Sequence, residues 1–420
     1  MNSNLWPVRV AIYAAGEAID GANALAPAIQ AQLARLGRVA TNRRAAALVQ
    51  LDASDVPTQR YVLDPWGRQP IYALDNVDVG DPAVLVDFAG WASAVCPAER
   101  SVLVLSGHGA AWQDAMVGQV LAAAGPAALR SVGAPGPVAG AIHHPRTLFG
   151  ESVNPTESIR RAVLVDGHDR DYLSNVELGS ACAQVSQALG APIDVLVFDA
   201  CLMSAWEILH EIEGSVRCVV ASIDELSVDG IDLARPVAAF TAAVGSLDAV
   251  TLAATIAGDF TPQAAFDSCV AIDLSGAEWA SALVAFAAFC AAFLAWLDGS
   301  GTRADDARAA LRYAATSVVQ YSGGGLADIG ALADAVCRIP AIPAAVSEPV
   351  TRAVASLAAC VKARSAGQDY RSATGLSIFA PNSATVYAAN RDDYAGLAFS
   401  GATGWGAVLE SLYGPADETT

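Results

Sequence analysis

Residues 194–208 read DVLVFDACLMSAWEI. An apolar run from Val195 to Phe198 stops at an acid, Asp199, and Cys201 follows two positions later. A short continuous apolar run of this kind reads as a strand buried on both faces. The stretch after it has helical character. The plain reading of Asp199 and Cys201 is a helix N-cap beside a buried thiol. The alternative is a nucleophile placed where a buried strand ends.

Similar runs recur and alternate with helical patterns. Strand-like segments at 8–14, 47–51, 60–63, 101–105, 193–198 and 216–221 are interleaved with helical ones at 22–36, 82–95, 176–188 and 203–212. This alternation predicts an α/β fold with a mostly parallel sheet covered by helices on both faces. Between 118 and 156 the pattern fails in a stretch rich in Ala, Gly and Pro, which reads as a long surface insertion. After Gly230 helical patterns dominate, at 236–244, 247–260, 277–297, 304–317, 326–337, 346–366 and 405–413, with one late strand near 375–379. The expected organisation is a core over 1–235 and a mainly helical region over 236–420 that returns this strand to the main sheet.

Composition narrows the class. A chain of 420 residues, 54% of them hydrophobic, can bury a large core and is not a disordered polymer. The formal net charge of −19, from 43 acids against 24 bases, argues against nucleic-acid or anionic-membrane partners. It suits a cationic substrate, although plain solubility also accounts for it. Residues 279–297, WASALVAFAAFCAAFLAWL, carry no charge and are long enough to span a bilayer. They are rich in Ala and have no close basic flank, so they read as a buried helix.

The eight cysteines, Cys96, Cys182, Cys201, Cys218, Cys269, Cys290, Cys337 and Cys360, form no CxxC pair and mostly sit in apolar surroundings. Reduced, buried thiols in a cytoplasmic protein are expected. The first twenty residues show no signal-peptide pattern, and secretion through a removed leader stays open as the alternative.

A second strand end carries chemistry. The run at 101–105 leads into SGHGAAW, with His108 between Gly107 and Gly109. Open parallel sheets bind ligands beyond the carboxyl ends of their strands. If the two strands are neighbours, His108 and Cys201 face one cleft. An imidazole, or the start of a helix near Leu202, converts a thiol into a usable thiolate. Flanking glycines let backbone N–H groups approach an oxyanion. The pattern therefore favours a Cys/His hydrolase.

The sequence resembles the clostripain family of cysteine peptidases, in the caspase-like clan. The resemblance is carried in order by VAIYAAGEAID at 10–20, VGDPAVLVDFAGWASAVCPAERSVLVLSGHGAAW at 79–112, RAVLVDGHDRDYLSNVEL at 161–178, FDACLMSAWEIL at 198–209, ASIDELSVDG at 221–230, GLSIFAP at 375–381 and TGWGAVLESLY at 403–413. It implies a caspase-like three-layer α/β/α fold with a helical C-terminal subdomain. It also implies that Cys201 is the nucleophile and that His108 protonates the leaving amine. The backbone N–H groups of Gly109 and Cys201 would form the oxyanion hole.

The family cleaves after Arg, and often Lys, through acids at the base of the S1 pocket. Asp199 and Asp229 match those acids, so a protein or peptide substrate with a basic residue before the cut is implied. A helix cap for Asp199 and a turn role for Asp229 are the plainer readings. Relatives often mature by cutting themselves between the His and the Cys, an interval that here contains Arg130, Arg146, Arg160 and Arg161. Some relatives need calcium, but Asp166, Asp169 and Asp171 do not form a recognisable calcium loop. His168 and the pair His143 and His144 show no ligand spacing, so no metal or cofactor is assigned.

The chain departs from the family pattern at Ala110 and Ala111, where glycines are usual, at Ile223-Asp224, and at Ser227-Val228 in place of a Pro-Gly turn. These changes touch the wall of the specificity pocket more than the dyad. A narrow protease for one partner protein, or an inactive caspase-like scaffold, are the competing readings.

Overall fold

A computed structural model describes residues 5–16, 25–39, 45–53, 56–64, 67–74, 77–109, 111–112, 163–166, 171–243, 247–299, 301–321 and 325–414. The strands in chain order are β1 (Trp6–Ala15), β2 (Ala45–Ala53), β3 (Val56–Asp64), β4 (Gly67–Ala73), β5 (Ala98–Ser106), β6 (Val163–Asp166), β7 (Asp171–Leu173), β8 (Ile193–Asp199), β9 (Val216–Ala221), β10 (Ser268–Asp273), β11 (Gln320–Tyr321), β12 (Leu326–Asp328), β13 (Val361–Ala366) and β14 (Ser377–Phe379). The expected insertion at 118–156 lies outside the described residues, as do Arg130, Arg146, Arg160 and Arg161.

Two compact units interleave along the chain. The first comprises residues 1–203, 212–274 and 362–371 and is built on a nine-stranded sheet of order β13-β10-β9-β8-β5-β1-β2-β3-β4. Strands β9, β8, β5, β1 and β2 run parallel, and antiparallel pairings of β10 with β9, β3 with β2 and β4 with β3 extend the sheet on both sides. The sheet is therefore mixed, with a parallel centre. Every residue of β2 and β8 is buried, as a parallel strand covered on both faces requires.

Neighbouring residues on a strand point to opposite faces. Ile12 and Val104 meet Ile29, Leu33 and Leu36 of helix Ala26–Gly37, while Ala11 and Leu103 meet Ala89 of helix Pro82–Val95 and Val185 and Leu189 of helix Asn175–Leu189. The layers are thus helix, sheet, helix. From β1 the chain goes first to β2 on one side and later to β5 on the other, so the order reverses around β1. Beyond the carboxyl ends of strands near such a reversal lies a crevice suited to a ligand.

The second unit comprises residues 204–211, 275–361 and 372–420. It is mostly helical, with a small antiparallel sheet of β11, β12 and β14. Its helix Ala277–Gly299, charged only at Glu278 and Asp298, is long and apolar enough to cross a membrane by composition. Its bulky residues Trp279, Phe286, Phe289, Phe293 and Leu297 fall on one buried face, whereas Val284 on the other side is exposed. Alanines raise the hydropathy of the open side without adding bulk. Phe286 packs at 5.1 Å from Trp206 and 5.5 Å from Trp405, ring centre to ring centre.

Three expectations about the C-terminal half need correction. The units do not part at 235/236, because helices Ala234–Ala242 and Ala249–Asp259 and strand β10 belong to the first unit. The strand that returns to the large sheet is β13, not the one near 375–379, which pairs with β12 in the small sheet. The helix expected over 346–366 ends at Cys360, and VKARSA continues as a strand. Lys362, 3.6 Å from Asp273, pairs with the end of β10. Short strands such as β10 carry too few residues for their period to stand out among helices.

Glu207 lies fully buried in the second unit, accepting hydrogen bonds from Phe379 N (2.8 Å) and Tyr394 Oη (3.0 Å). Burial pushes its carboxyl up to about 7. The protonated acid is therefore the form the fold favours. Its stabilising contribution is complete below the ordinary carboxylate range and is lost as pH rises through about 7. Glu207→Gln is expected to remove this dependence, gaining up to ~3 kcal/mol over wild type in alkaline buffer. Chemical denaturation at mildly acidic and at alkaline pH measures it, and parallel pH curves for both proteins would refute it.

Candidate active site

Strands β5 and β8 are parallel neighbours, with Ser106 level with Asp199. The chain leaving β5 carries Gly107, His108 and Gly109, and Gly107 N donates to Asp199 O at 3.3 Å. His108 is almost fully buried. At Gly109 a Cβ would lie 2.6 Å from Cys201 O and 2.7 Å from Ala200 Cβ. Only glycine allows this approach, so the loop bearing His108 rests directly on the backbone of Cys201. Ala111, in a loop where glycine was expected, adopts a left-handed φ of 62°. That conformation costs an alanine about 1–2 kcal/mol, so the substitution is accommodated at the expense of strain.

Cys201 follows β8 in a turn rather than at a helix start. The helix expected near Leu202 begins only at Trp206, and Leu202 takes a left-handed φ of 66°. The helix-dipole effect expected for the thiol is therefore not supplied there. A different donor is present: Leu226 N lies 3.1 Å from Cys201 Sγ. A backbone N–H aimed at sulfur favours the thiolate. The turn is fixed further by Leu202 N, which donates to Asp224 O at 3.0 Å.

None of the eight cysteines is in a disulfide, and burial pushes the thiols of Cys182 and Cys218 up to about 12 and that of Cys96 up to about 11. Such thiols are inert packing groups.

The loop after β9, residues 222–231, packs against the Cys201 turn. Ser268 Oγ accepts from Ile223 N and lies within hydrogen-bond distance of Ser222 Oγ, both at 3.0 Å. Asp267 accepts from Ser227 N at 2.7 Å and from Ser227 Oγ at 2.8 Å. Tyr370 Oη donates to the Asp224 carboxylate. Leu226, Asp267 and Tyr370 were not singled out in the sequence. The one available signal was an acid directly before a short apolar run, FDSCVAID.

The two candidate specificity acids differ in setting. Asp199 is 2% exposed, accepts from Ser106 Oγ and Ile231 N, each at 2.7 Å, and lines a small apolar cavity with Gln32 and Ile231. Asp229 is exposed in an open cleft with Arg35, Asp232, Arg235 and Asp259. Arg35 pairs with Asp232 at 2.5 Å and Arg235 with Asp259 at 3.5 Å. That leaves Asp229 as the acid of this cleft with no ion pair among the described residues. The two acids are linked through the backbone: Asp199 holds Ile231, two residues on from Asp229. Among the described residues no group of three His, Cys, Asp or Glu side chains is placed to hold a metal ion. Asp169, His143, His144 and His168 lie outside the described residues, as do the side chains of Asp166 and Asp171.

The sequence matches the clostripain family over residues 154–412. No curated protein sequence matches it. Solved structures share the fold. A secreted C11 cysteine protease from Bacteroides thetaiotaomicron, "iotapain", superposes with a TM-score of 0.63 at 12% identity, covering 95% of this chain and 99% of that one. An inactive zymogen C11 protease from Parabacteroides distasonis gives 0.60 at 15% identity, over 96% and 99%. A secreted C11 cysteine protease from Bacteroides thetaiotaomicron in complex with an irreversible peptide inhibitor gives 0.58 at 15%, over 95% and 99%. The three-layer architecture is thus the expected caspase-like one.

Gly109→Ala should force the His108 loop off Cys201. A loss of about 1–3 kcal/mol is expected, read as a lowered unfolding midpoint in denaturant. A variant as stable as wild type would contradict the close approach.

Proposed function

The chain belongs to the clostripain family of cysteine peptidases, and from that premise we propose that it cuts peptide chains after basic residues through Cys201 and His108. The observation that carries this reading is the seating of the His108 loop on the Cys201 backbone at the ends of adjacent parallel strands. The Cys201 thiolate attacks the carbonyl carbon, and the carbonyl electrons move onto oxygen. The N–H groups of Gly109 and Cys201 receive that oxyanion. The intermediate collapses as His108 gives a proton to the leaving amine. Water then attacks the acyl-enzyme, with His108 taking its proton, and the acid product leaves.

Asp229 is the acid we assign to the substrate's cation, because its carboxylate has no ion pair among the described residues. Asp199 supports the same loop from below, since both its oxygens are already engaged. A guanidinium can bond a carboxylate bidentately, which favours Arg over Lys. The proposed chemistry uses no cofactor. One solved relative is described as an inactive zymogen, and Cys201 is fully enclosed here. We read this as the uncut form of a chain that opens itself at one of Arg130, Arg146, Arg160 or Arg161. Two solved relatives are described as secreted, and the expectation of a cytoplasmic protein draws no support from them.

Cys201→Ala should abolish hydrolysis of fluorogenic Arg peptides and any internal cut seen by intact mass. His108→Ala should lower kcat by about 10²–10⁴. Asp229→Asn should cost about 10–100-fold in kcat/KM for Arg peptides and far less for peptides with a neutral residue at that position. Equal losses on both peptide types would remove Asp229 from the specificity pocket.

A further inference from the structure

We propose that Asp267 is a positioning residue for the nucleophile, setting the Leu226 N–H on Cys201 Sγ through Ser227. The inference rests on the reading of Cys201 as the nucleophile and names the part of the fold that holds its thiolate in place.

Asp267 is fully buried, one residue ahead of β10. A carboxylate in that position is costly unless its oxygens are saturated with donors. They are. Oδ1 accepts from Ser227 N (2.7 Å) and Ser227 Oγ (2.8 Å). Oδ2 accepts from Gln263 N (2.7 Å), Ala264 N (2.8 Å) and Ser227 Oγ (2.8 Å). The carboxylate therefore ties the 263–264 turn to the peptide joining Leu226 and Ser227. That peptide carries Leu226 O, which accepts from Cys201 Sγ at 3.8 Å, and across one Cα lies the Leu226 N–H, 3.1 Å from the same sulfur, so holding the Ser227 amide holds Leu226 against Cys201.

The anchor is itself held. Asp267 O accepts from Gly367 N at 2.7 Å, and Asp369 N donates to Ala265 O at 3.0 Å. A Cβ at Gly367 would sit 2.4 Å from Ala265 O, so the chain leaving β13 lies flush on this turn. Tyr370, at the end of that segment, grips Asp224, whose carbonyl receives Leu202 N. The segment thus braces both sides of the Cys201 turn.

Charge and geometry make opposite demands here, which allows a test by sign. The ionisable groups on the surrounding segments are His108, Asp199, Asp224, Glu225, Asp229 and Asp267, with Asp369 and Tyr370 on the brace. As a bare charge, Asp267 disfavours a thiolate, and removing it would ease ionisation of Cys201. As an anchor it favours the thiolate, and removing it would hinder ionisation.

In Asp267→Asn one acceptor becomes an NH2 group facing backbone donors, so the loop cannot keep its place. The measurement is the rate of Cys201 alkylation by iodoacetamide across about pH 5 to 10, read by peptide mapping on the full chain. Hydrolysis by wild type and Cys201→Ala of the best-cleaved member of a peptide set varied at the cut position runs in parallel. We expect the alkylation midpoint of Asp267→Asn to rise by about one pH unit, or about tenfold slower labelling near neutrality. We expect kcat to fall about tenfold or more while KM stays within about twofold. Ser227→Ala, which keeps the backbone donor, should show about threefold effects in the same direction.

A folded Asp267→Asn whose midpoint is unchanged or lower overturns the inference. If that variant does not fold, Ser227→Ala decides: wild-type midpoint and kcat overturn the inference, and slower labelling sustains it. Continued hydrolysis by Cys201→Ala would instead strike down the nucleophile reading, while the alkylation curves still judge the anchor.

Discussion

The contact on which the site depends is between two main chains. Gly109 lies so close to Cys201 that no side chain fits between them. This approach sets where His108 stands relative to the Cys201 turn. It is possible because β5 and β8 are adjacent, parallel and in register to their last residues. A sheet with a different strand order would leave the same residues far apart. Strand order thus acts on chemistry directly, through one absent Cβ.

Around that contact the chain places buried carboxylates among its buried hydrophobic groups. Asp199, Asp224 and Asp267 are each nearly or fully enclosed, and each accepts a hydrogen bond from a loop or a side chain near Cys201. A hydrogen bond to a charged acceptor in a low-dielectric setting is short, directional and costly to break. Apolar packing alone would leave these loops several nearly equal positions. The acids give them one. Much of the negative charge near the site is therefore structural and already satisfied, whereas Asp229 remains exposed in its cleft.

How far the sequence disclosed this depended on the length of each signal. Long apolar strands such as β1, β5 and β8 and the helix Pro82–Val95 announce themselves because period and composition agree over many residues. The His108 and Cys201 turns were legible because glycines and a lone thiol at strand ends are chemically unusual. The turn at Leu202 was not, because a left-handed leucine leaves no mark in composition and MSAWEI reads as a helix from its first residue. The Leu226 donor was hidden for a plainer reason: a backbone N–H belongs to every residue but proline. Strand β13 was absorbed into the preceding helix because KARSA is equally suited to an exposed helical turn. Pairing with a distant strand, not local preference, decides such a segment.

The interleaving of the two units also bears on synthesis. The large sheet takes its strand β13, and the Cys201 turn its brace at Gly367 and Tyr370, from residues near the end of the chain. A ribosome-bound chain that has already released β8 and Cys201 still lacks these pieces until some 160 further residues have emerged. Contacts so distant in sequence close late. The nascent protein thus carries this thiol without a finished cradle while roughly two fifths of the chain is made. The cradle closes only once those later residues have folded, a built-in delay that needs no inhibitor.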